Sequence, residues 1–358
     1  MEGGVRLIMG PGQKLDIRIA NADDLDAWQL FVDDMPNAGC MHHAGWYRIL
    51  RDAYWVTPYF LIAEEGAKGI AGVLPLYHSR SPFTGSHLSS LEGGVLATCA
   101  GAAAALLTEA RSLRDAIGAN YLQVRGGMVD QPGSRSFITV DTVIDTSQAP
   151  ERLWHAVKKK TRWAIRQVQK TQIRIERDAD LGGLDVFYRL YAEHMRDLGT
   201  PVQGRDAFMA LKRHLGQKRL RLYFVHENDK KIGGMLCILN QGRWTDYHAI
   251  VRPSQQTEFA NYLLYWSVIC DAATCGSPIL DLGRSTPGTN VHQFKRKWGG
   301  RDVEVAYHFY PSEASARLEL GLETLKRDRR LPQRIWSHLP LGVSNRLGPL
   351  LRKQLPFI

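Results

Sequence analysis

The amino-acid sequence predicts an α/β (α+β) chain of two tandem domains, each a mixed central sheet flanked by helices, and three observations carry that expectation. A pair of short apolar runs occurs twice. Tyr59-Phe60-Leu61-Ile62-Ala63 with Gly69-Ile70-Ala71-Gly72-Val73-Leu74 returns as Tyr223-Phe224-Val225-His226 with Lys231-Ile232-Gly233-Gly234-Met235-Leu236, each copy reading as a hairpin. Each hairpin is followed by a helical pattern and then a short apolar strand, so the order of elements repeats as well. The length of 358 residues suits about two domains, and 44% apolar content against 23% charged is enough to bury two cores.

Taken in order, residues 1–13 hold Gly3, Gly4, Gly10, Pro11 and Gly12 around a very short apolar patch and lack the apolar centre of a signal peptide. After the first hairpin come a helix over 102–117 and a strand over 121–124, and the division between domains is expected near 145–150, giving 1–145 and 146–310. Lys158, Arg162, Arg166 and Lys170 recur every four residues, so a helix over 158–170 lines them on one basic face. A solvated face is the default; the functional reading is a phosphate-binding border of a cleft. The second hairpin leads to a strand over 245–251, where Asp246 and His248 share one face and Tyr247 takes the other. His248 there is a general base or a buried, hydrogen-bonded histidine. A loop over 252–258 precedes a helix over 259–275 with Tyr262, Leu263, Trp266, Ile269 and Cys270 at helical spacing, and a strand over 279–282 comes next.

The densest signal is Asp281-Leu282-Gly283-Arg284-Ser285 followed by Phe294-Lys295-Arg296-Lys297-Trp298-Gly299. Gly283 is expected to free the backbone so that Arg284 and Ser285 leave the sheet at its edge, where α/β proteins place their chemistry. Residues 287–290 are turn-forming, and the basic run after them is interleaved with Phe294 and Trp298. Fixed cations in that place suit a substrate rich in carboxylate or phosphate; the plainer reading is a solvated basic loop anchored by two aromatics. The five cysteines are odd in number, form no Cys-x-x-Cys pair and read as reduced core residues. Cys40-Met41-His42-His43 offers ligand types, but adjacent histidines on an extended segment point to opposite faces, so no metal site is expected.

The loop Val251-Arg252-Pro253-Ser254-Gln255-Gln256-Thr257-Glu258-Phe259-Ala260 resembles the phosphate cradle of GNAT-type acyltransferases, in which a glycine-rich turn offers backbone N–H groups to the pyrophosphate of coenzyme A. The glycines are missing here, and Glu258 brings bulk and a repelling charge, which disfavours acyl-CoA in the usual pose. A GNAT-like half with an altered loop and a downstream Asp-x-Gly-Arg-Ser…Phe-Lys-x-x-Trp-Gly segment is similar to the FemAB family of aminoacyl-tRNA-dependent peptidoglycan bridge transferases. The pattern is nearest to the FemAB-like proteins that accompany exosortase (PEP-CTERM) and exopolysaccharide systems in Gram-negative bacteria. The resemblance covers most of residues 1–310 and includes Trp154, Lys159-Lys160, Arg162, Ile165-Arg166, Phe187-Tyr188, Leu198-Gly199-Thr200-Pro201 and Asn261-Tyr262-Leu263-Leu264-Tyr265-Trp266. The long helical arm that some members insert in the second half has no counterpart.

The resemblance implies two GNAT-like domains with the active site in the second, and a role for Lys295 in handling the donor ester or the acceptor carboxylate. On that footing an amine of a cell-envelope, peptidoglycan or exopolysaccharide precursor attacks an activated acyl carbon. The donor is aminoacyl-tRNA, with acyl-CoA the less favoured choice, and no cofactor is tightly bound. Lys295 and Arg284 stabilise anionic oxygen while Asp281 orients one of these cations; Arg162, Arg166, Asp246, Tyr247, His248, Asn261, Ser285, Phe294 and Trp298 are the expected substrate-binding residues. Two other classes stay open: a CoA-dependent N-acyltransferase with a non-standard pyrophosphate loop, and a non-catalytic glycan-binding or scaffold protein of polysaccharide assembly.

The formal charge of +10 favours polyanionic partners such as RNA, anionic glycans or lipid head groups. Residues 311–358 form a basic tail that starts with an amphipathic helix candidate over 315–330 and alternates leucines, basic residues and prolines around Trp336. Such a tail suits peripheral contact with the inner membrane, or an extension wrapped on its own domains. No stretch approaches the roughly 20 apolar residues of a span, and the expected compartment is the cytoplasm.

Overall fold

The computed structural model describes residues 5–8, 14–81, 85–127, 135–252, 259–312 and 330–354. Contacts divide the chain into two compact units. The first is Met1–Phe137 with Val305–Ile335 and Arg346–Ile358; the second is Ile138–Glu304 with Trp336–Asn345. The fold is mixed α/β, as the sequence predicts.

The first unit begins with β1 (Val5–Ile8), β2 (Lys14–Ile19), α1 (Leu25–Asp34), α2 (Gly45–Asp52), β3 (Thr57–Glu64), β4 (Ile70–Ser81), β5 (Gly85–Ala97), α3 (Ala100–Ala116) and β6 (Tyr121–Gly127). The first expected hairpin is the antiparallel pair β3–β4, and β5–α3–β6 is a parallel crossover. Leu74, Leu76, Leu88, Leu122 and Val124 pack against the alanine- and leucine-rich face of α3, whose small side chains let the helix lie close on the sheet. On α1, Leu25, Trp28, Phe31 and Val32 recur at helical spacing and are buried, with the Trp28 ring 4.7 Å from that of Phe60. His42 is buried: its Nδ1 accepts from the Gly39 N–H at 3.0 Å and its Nε2 lies 3.2 Å from the Gly94 carbonyl oxygen, so this histidine holds backbone. Cys40 and Cys237 are buried as expected, whereas Cys99 at the α3 N-terminus and Cys275 are exposed.

The second unit contains β7 (Arg135–Asp145) from residue 138 on, α4 (Pro150–Ala156), α5 (Lys159–Val168), β8 (Ile173–Asp178), α6 (Leu184–Asp197), α7 (Arg205–Leu215), β9 (Leu220–Glu227), β10 (Lys230–Asn240), β11 (Arg243–Val251), α8 (Ala260–Thr274), β12 (Ile279–Ser285) and α9 (Asn290–Lys295). The strands lie in the order β7-β12-β11-β10-β9-β8, and only β11–β12 is parallel. The second expected hairpin is β9–β10, and β11–α8–β12 repeats the crossover of the first unit. The core gathers Leu263, Leu264, Val268 and Ile269 of α8 with Val225, Met235, Leu280 and Leu282 of the sheet. Residues 138–145 of β7, which the sequence reading leaves with the first half, pair with β12.

The chain then returns to the first unit through β13 (Arg301–Pro311), whose residues 307–311 pair antiparallel with β6. Arg114 of α3 clamps the end of this strand by donating to the carbonyls of Tyr310 and Pro311 at 3.1 and 2.9 Å. Among the described residues two helices come after it, α10 (Arg330–Ser337) and α11 (Leu341–Gln354). Most of the helix expected over 315–330 lies outside the described residues, as do 253–258 of the cradle-like loop, including Glu258. No helix among the described residues is long and apolar enough to cross a membrane.

Candidate active site

The parallel pair β11–β12 keeps register for three residues, the last being Thr245 opposite Asp281, and then parts. Beyond that point each strand carries an irregularity. On β12, Gly283 takes φ +73°, and the register against β7 shifts between Asp281 and Arg284. Arg284 and Ser285, expected to leave the sheet, stay paired with Asp141 and Val140 of β7, so the glycine makes a bulge and not a strand end. On β11 the register against β10 runs from His248 opposite Leu236 to Asp246 opposite Cys237, which leaves Tyr247 as the extra residue of a bulge. This overturns the expected alternation. Asp246 accepts a hydrogen bond from Tyr265 of α8 at 2.8 Å, whereas Tyr247 and His248 lie together, ring centroids 4.4 Å apart, against Phe208 of α7. His248 also packs on Tyr191 of α6, and the Tyr247 hydroxyl donates to Gln203 at 3.3 Å.

The basic run expected to be a loop is the end of α9 and a 3-10 turn, Arg296–Trp298. Thr289 caps α9 by accepting from the His292 N–H, and His292 reaches Asp302 at 2.9 Å. Helical winding turns Lys295 inward, where it is 7% exposed and donates from Nζ to the carbonyls of Gly283 and Arg284, both at 2.9 Å. Asp281 is also buried; its Oδ2 pairs with Arg243 at 3.0 Å and its Oδ1 accepts from the Gly283 N–H at 2.8 Å. The sequence reading has Asp281 orienting Lys295 or Arg284 and does not include Arg243, which adjoins it across the β11–β12 ladder.

The electrostatics follow from burial. Burial raises the Asp246 carboxyl from its ordinary 3.8 to about 6, although the Tyr265 hydrogen bond and the Lys295 charge pull it down. Burial also lowers the Lys295 ammonium from its usual value, opposed by the charges of Asp246, Asp281 and Asp141. Asp246 Oδ1, Ser285 Oγ and Trp298 Nε1 are buried with no hydrogen-bond partner among the described residues. Each such group costs on the order of 1–3 kcal/mol unless something bonds it, so these elements are prepared to receive polar atoms. Trp298 is 1% exposed and stacks on Tyr265 at 5.6 Å, with Phe294 edge-on to both.

A cleft of about 940 Å³ opens beside this cluster, lined by Lys158, Lys159, Lys160, Arg296 and Lys297 with the aromatic rings of Trp163, Phe259 and Tyr262. The starts of α5 and α8 both lie on its wall, and the positive ends of their helix dipoles add to the field. Tyr262 connects the cleft to the buried cluster: its hydroxyl accepts from Lys297 Nζ at 3.0 Å, and its ring packs on Phe294 and Trp298. Arg162 and Arg166, expected on this wall, are turned elsewhere; Arg162 lies 3.5 Å from the Trp154 carbonyl and Arg166 over the Trp154 ring. Because α5 starts at Lys159, its exposed first turn gives the cleft the consecutive lysines 158–160, of which the every-fourth-residue spacing marks only Lys158. Asn261 stands in the first turn of α8, half-buried. Sequence reasoning missed Tyr265 and Arg243 as site residues; Tyr265 falls within the Asn261 to Trp266 match, whereas nothing local marks Arg243.

A family model described as acetyltransferase (GNAT) domain matches residues 155–296. Among solved structures, FemX superposes with a TM-score of 0.64 at 13% identity, over 83% of this chain and 98% of its own. The C-terminal (DUF2156) domain of a putative lysylphosphatidylglycerol synthetase from Agrobacterium fabrum gives a TM-score of 0.57 at 10% identity, over 86% and 98%. A tandem GNAT protein from the clavulanic acid biosynthesis pathway gives 0.52 at 13% identity, over 83% and 98%. A sequence search of curated proteins finds no match. At these identities the likeness is one of fold: the chain is a tandem GNAT-fold α/β protein with the architecture seen in FemX.

Proposed function

We propose that the chain is an acyl- or aminoacyltransferase that delivers an activated acyl group to an amine of a cell-envelope, peptidoglycan or exopolysaccharide precursor. The observation that carries this reading is the Asp246 carboxyl, with a pKa of about 6 and a buried Oδ1 that has no hydrogen-bond partner among the described residues, within the field of the buried Lys295 ammonium. The acceptor nitrogen attacks the acyl carbon, Asp246 takes the proton that the nitrogen loses, and the bond to the donor oxygen or sulfur breaks as the leaving group departs. Lys295 stabilises the negative charge on the acyl oxygen in the transition state, a contribution of about 10²–10³ in rate for one well-aimed donor. The cationic, aromatic cleft suits the phosphate-rich end of the donor: lysines and helix N-termini neutralise phosphate, and Trp163, Phe259 and Tyr262 offer faces for a base. Both aminoacyl-tRNA as that donor and the cell-envelope acceptor rest on the FemAB-like motifs of the sequence.

A second reading, a CoA-dependent N-acyltransferase, is favoured by the match of residues 155–296 to the acetyltransferase (GNAT) domain. Equilibrium binding separates the two. Saturable binding of charged tRNA, with acetyl-CoA at most weak, supports the first; micromolar binding of acetyl-CoA without charged-tRNA binding replaces it with the second. Mass spectrometry of envelope and exopolysaccharide fractions from cells with and without the protein names the acceptor. Absence of any donor binding together with unchanged fractions would sink the transferase reading.

A further inference from the structure

Helix α11 presents three of its apolar side chains to solvent, unlike a helix fully packed on its own protein. On α11, Val343, Leu347 and Leu350 stand at i, i+4 and i+7, one face of the helix, and are 41%, 43% and 52% exposed. The most buried residues are small, Ser344 at 1% exposed with its hydroxyl bonded to the Leu341 carbonyl at 3.0 Å and Gly348, while Leu351 on the same side is half-buried. An amphipathic helix docked on a core does the reverse, turning leucine and valine in and small polar residues out. On α10, Ile335 is 60% exposed beside Trp336, which is 9% exposed. The chemistry around the stripe has one sign. Residues 330–354 contain Arg330, Arg334, Arg346, Arg352 and Lys353 and no aspartate or glutamate, and Arg346 is exposed within the apolar face itself.

We propose that α11, with the end of α10, is a docking element for an anionic phospholipid surface, seating Val343, Leu347 and Leu350 at the head-group boundary while the arginines meet lipid phosphate. An interfacial helix needs an apolar face rimmed by Lys and Arg, without the length or hydropathy of a span, and α11 has that pattern. Charge selects the occupant. A second copy of the chain on this face would bring the same cations together with no carboxylate in either segment to pair them, whereas an acidic leaflet matches both the leucines and the charge. The surface needs nothing from the Asp246 site and stands whether or not the chain is a transferase.

The experiment is co-sedimentation of the full-length chain with phosphatidylcholine vesicles and with vesicles containing phosphatidylglycerol, at low salt and at about 0.5 M salt, where screening acts within about 4–5 Å. Binding is expected to the anionic vesicles alone and to be released by salt. Leu347→Ser/Leu350→Ser and Arg346→Glu should each weaken it at least tenfold with unchanged melting temperature, since all three side chains are exposed. Wild-type protein left in the supernatant at low salt, or variants that bind as tightly as wild type, would overturn the proposal. So would sedimentation velocity showing a dimer that the double serine variant dissolves, because the stripe would then belong to a second copy.

Discussion

An Asp246 carboxyl with a pKa of about 6 is largely ionised at neutral pH and protonated at pH 5, which gives the site a signature in pH. If this residue takes the acceptor proton, kcat/KM rises with pH up to about 6 and levels off, and Asp246→Asn loses both the rate and the inflection. Stability has the opposite slope. The folded chain holds this proton to about pH 6 while the unfolded chain releases it near 3.8, so the contribution of Asp246 is complete below 3.8 and diminishes as pH rises to 6. Asp246→Asn should therefore be at least as stable as wild type at pH 7, with a flatter melting profile between pH 4 and 6; a variant less stable at pH 7 would mean that the ionised carboxylate holds the fold together. For Lys295, substitution by Met keeps the packed stem and removes the charge. The expected result is a fall in kcat of about 10²–10³ with donor Kd changed far less, read by single-turnover kinetics and calorimetry. Equal turnover would remove Lys295 from the mechanism.

At the scale of elements, the turn Arg296–Trp298 hangs on one glycine. Gly299 has φ +81°, and a Cβ there would lie 2.8 Å from the Ala156 Cβ and 2.9 Å from the Ala156 carbonyl oxygen at the end of α4. Gly299→Ala should cost about 1–2 kcal/mol from backbone conformation, with the clash added, measured by urea denaturation. Because Lys297 accepts the Lys158 N–H at its carbonyl at 3.1 Å, the same change should disturb the cleft wall. Elements of this kind show what the sequence discloses. Hairpins, crossover helices and the Asp281 to Trp298 segment are legible because apolar spacing and turn residues are local. The bulges are not. Tyr247 is bulged and Gly283 keeps Arg284 in the sheet because of how neighbouring strands pair, and pairing with β10 or β7 leaves no trace in the period of β11 or β12 itself. The same holds for Lys295, whose inward turn depends on α9 forming where the composition suggests a basic loop.

For the whole molecule, the placement of β13 has a consequence for how the chain is made. The first unit's sheet includes a strand, residues 307–311, encoded after the main segment 138–304 of the second unit, and Arg114 waits for the carbonyls of Tyr310 and Pro311. A ribosome emitting this chain from its N-terminus exposes β6 as an open edge until nearly all of the protein has emerged, and an unpaired edge is a template for aggregation. The second unit is almost continuous in sequence, over 138–304, and meets no such delay. Folding should thus run against the direction of synthesis: a fragment of residues 138–304 should unfold cooperatively and protect its amides, while residues 1–137 alone should aggregate or exchange freely. Hydrogen exchange on stalled chains checks this, and early protection of β3 to β6 before residue 311 appears would refute it. The first-made half of the protein depends on a late-made strand for completion, so a message truncated before residue 307 leaves the first unit with an open edge even where the second unit is whole.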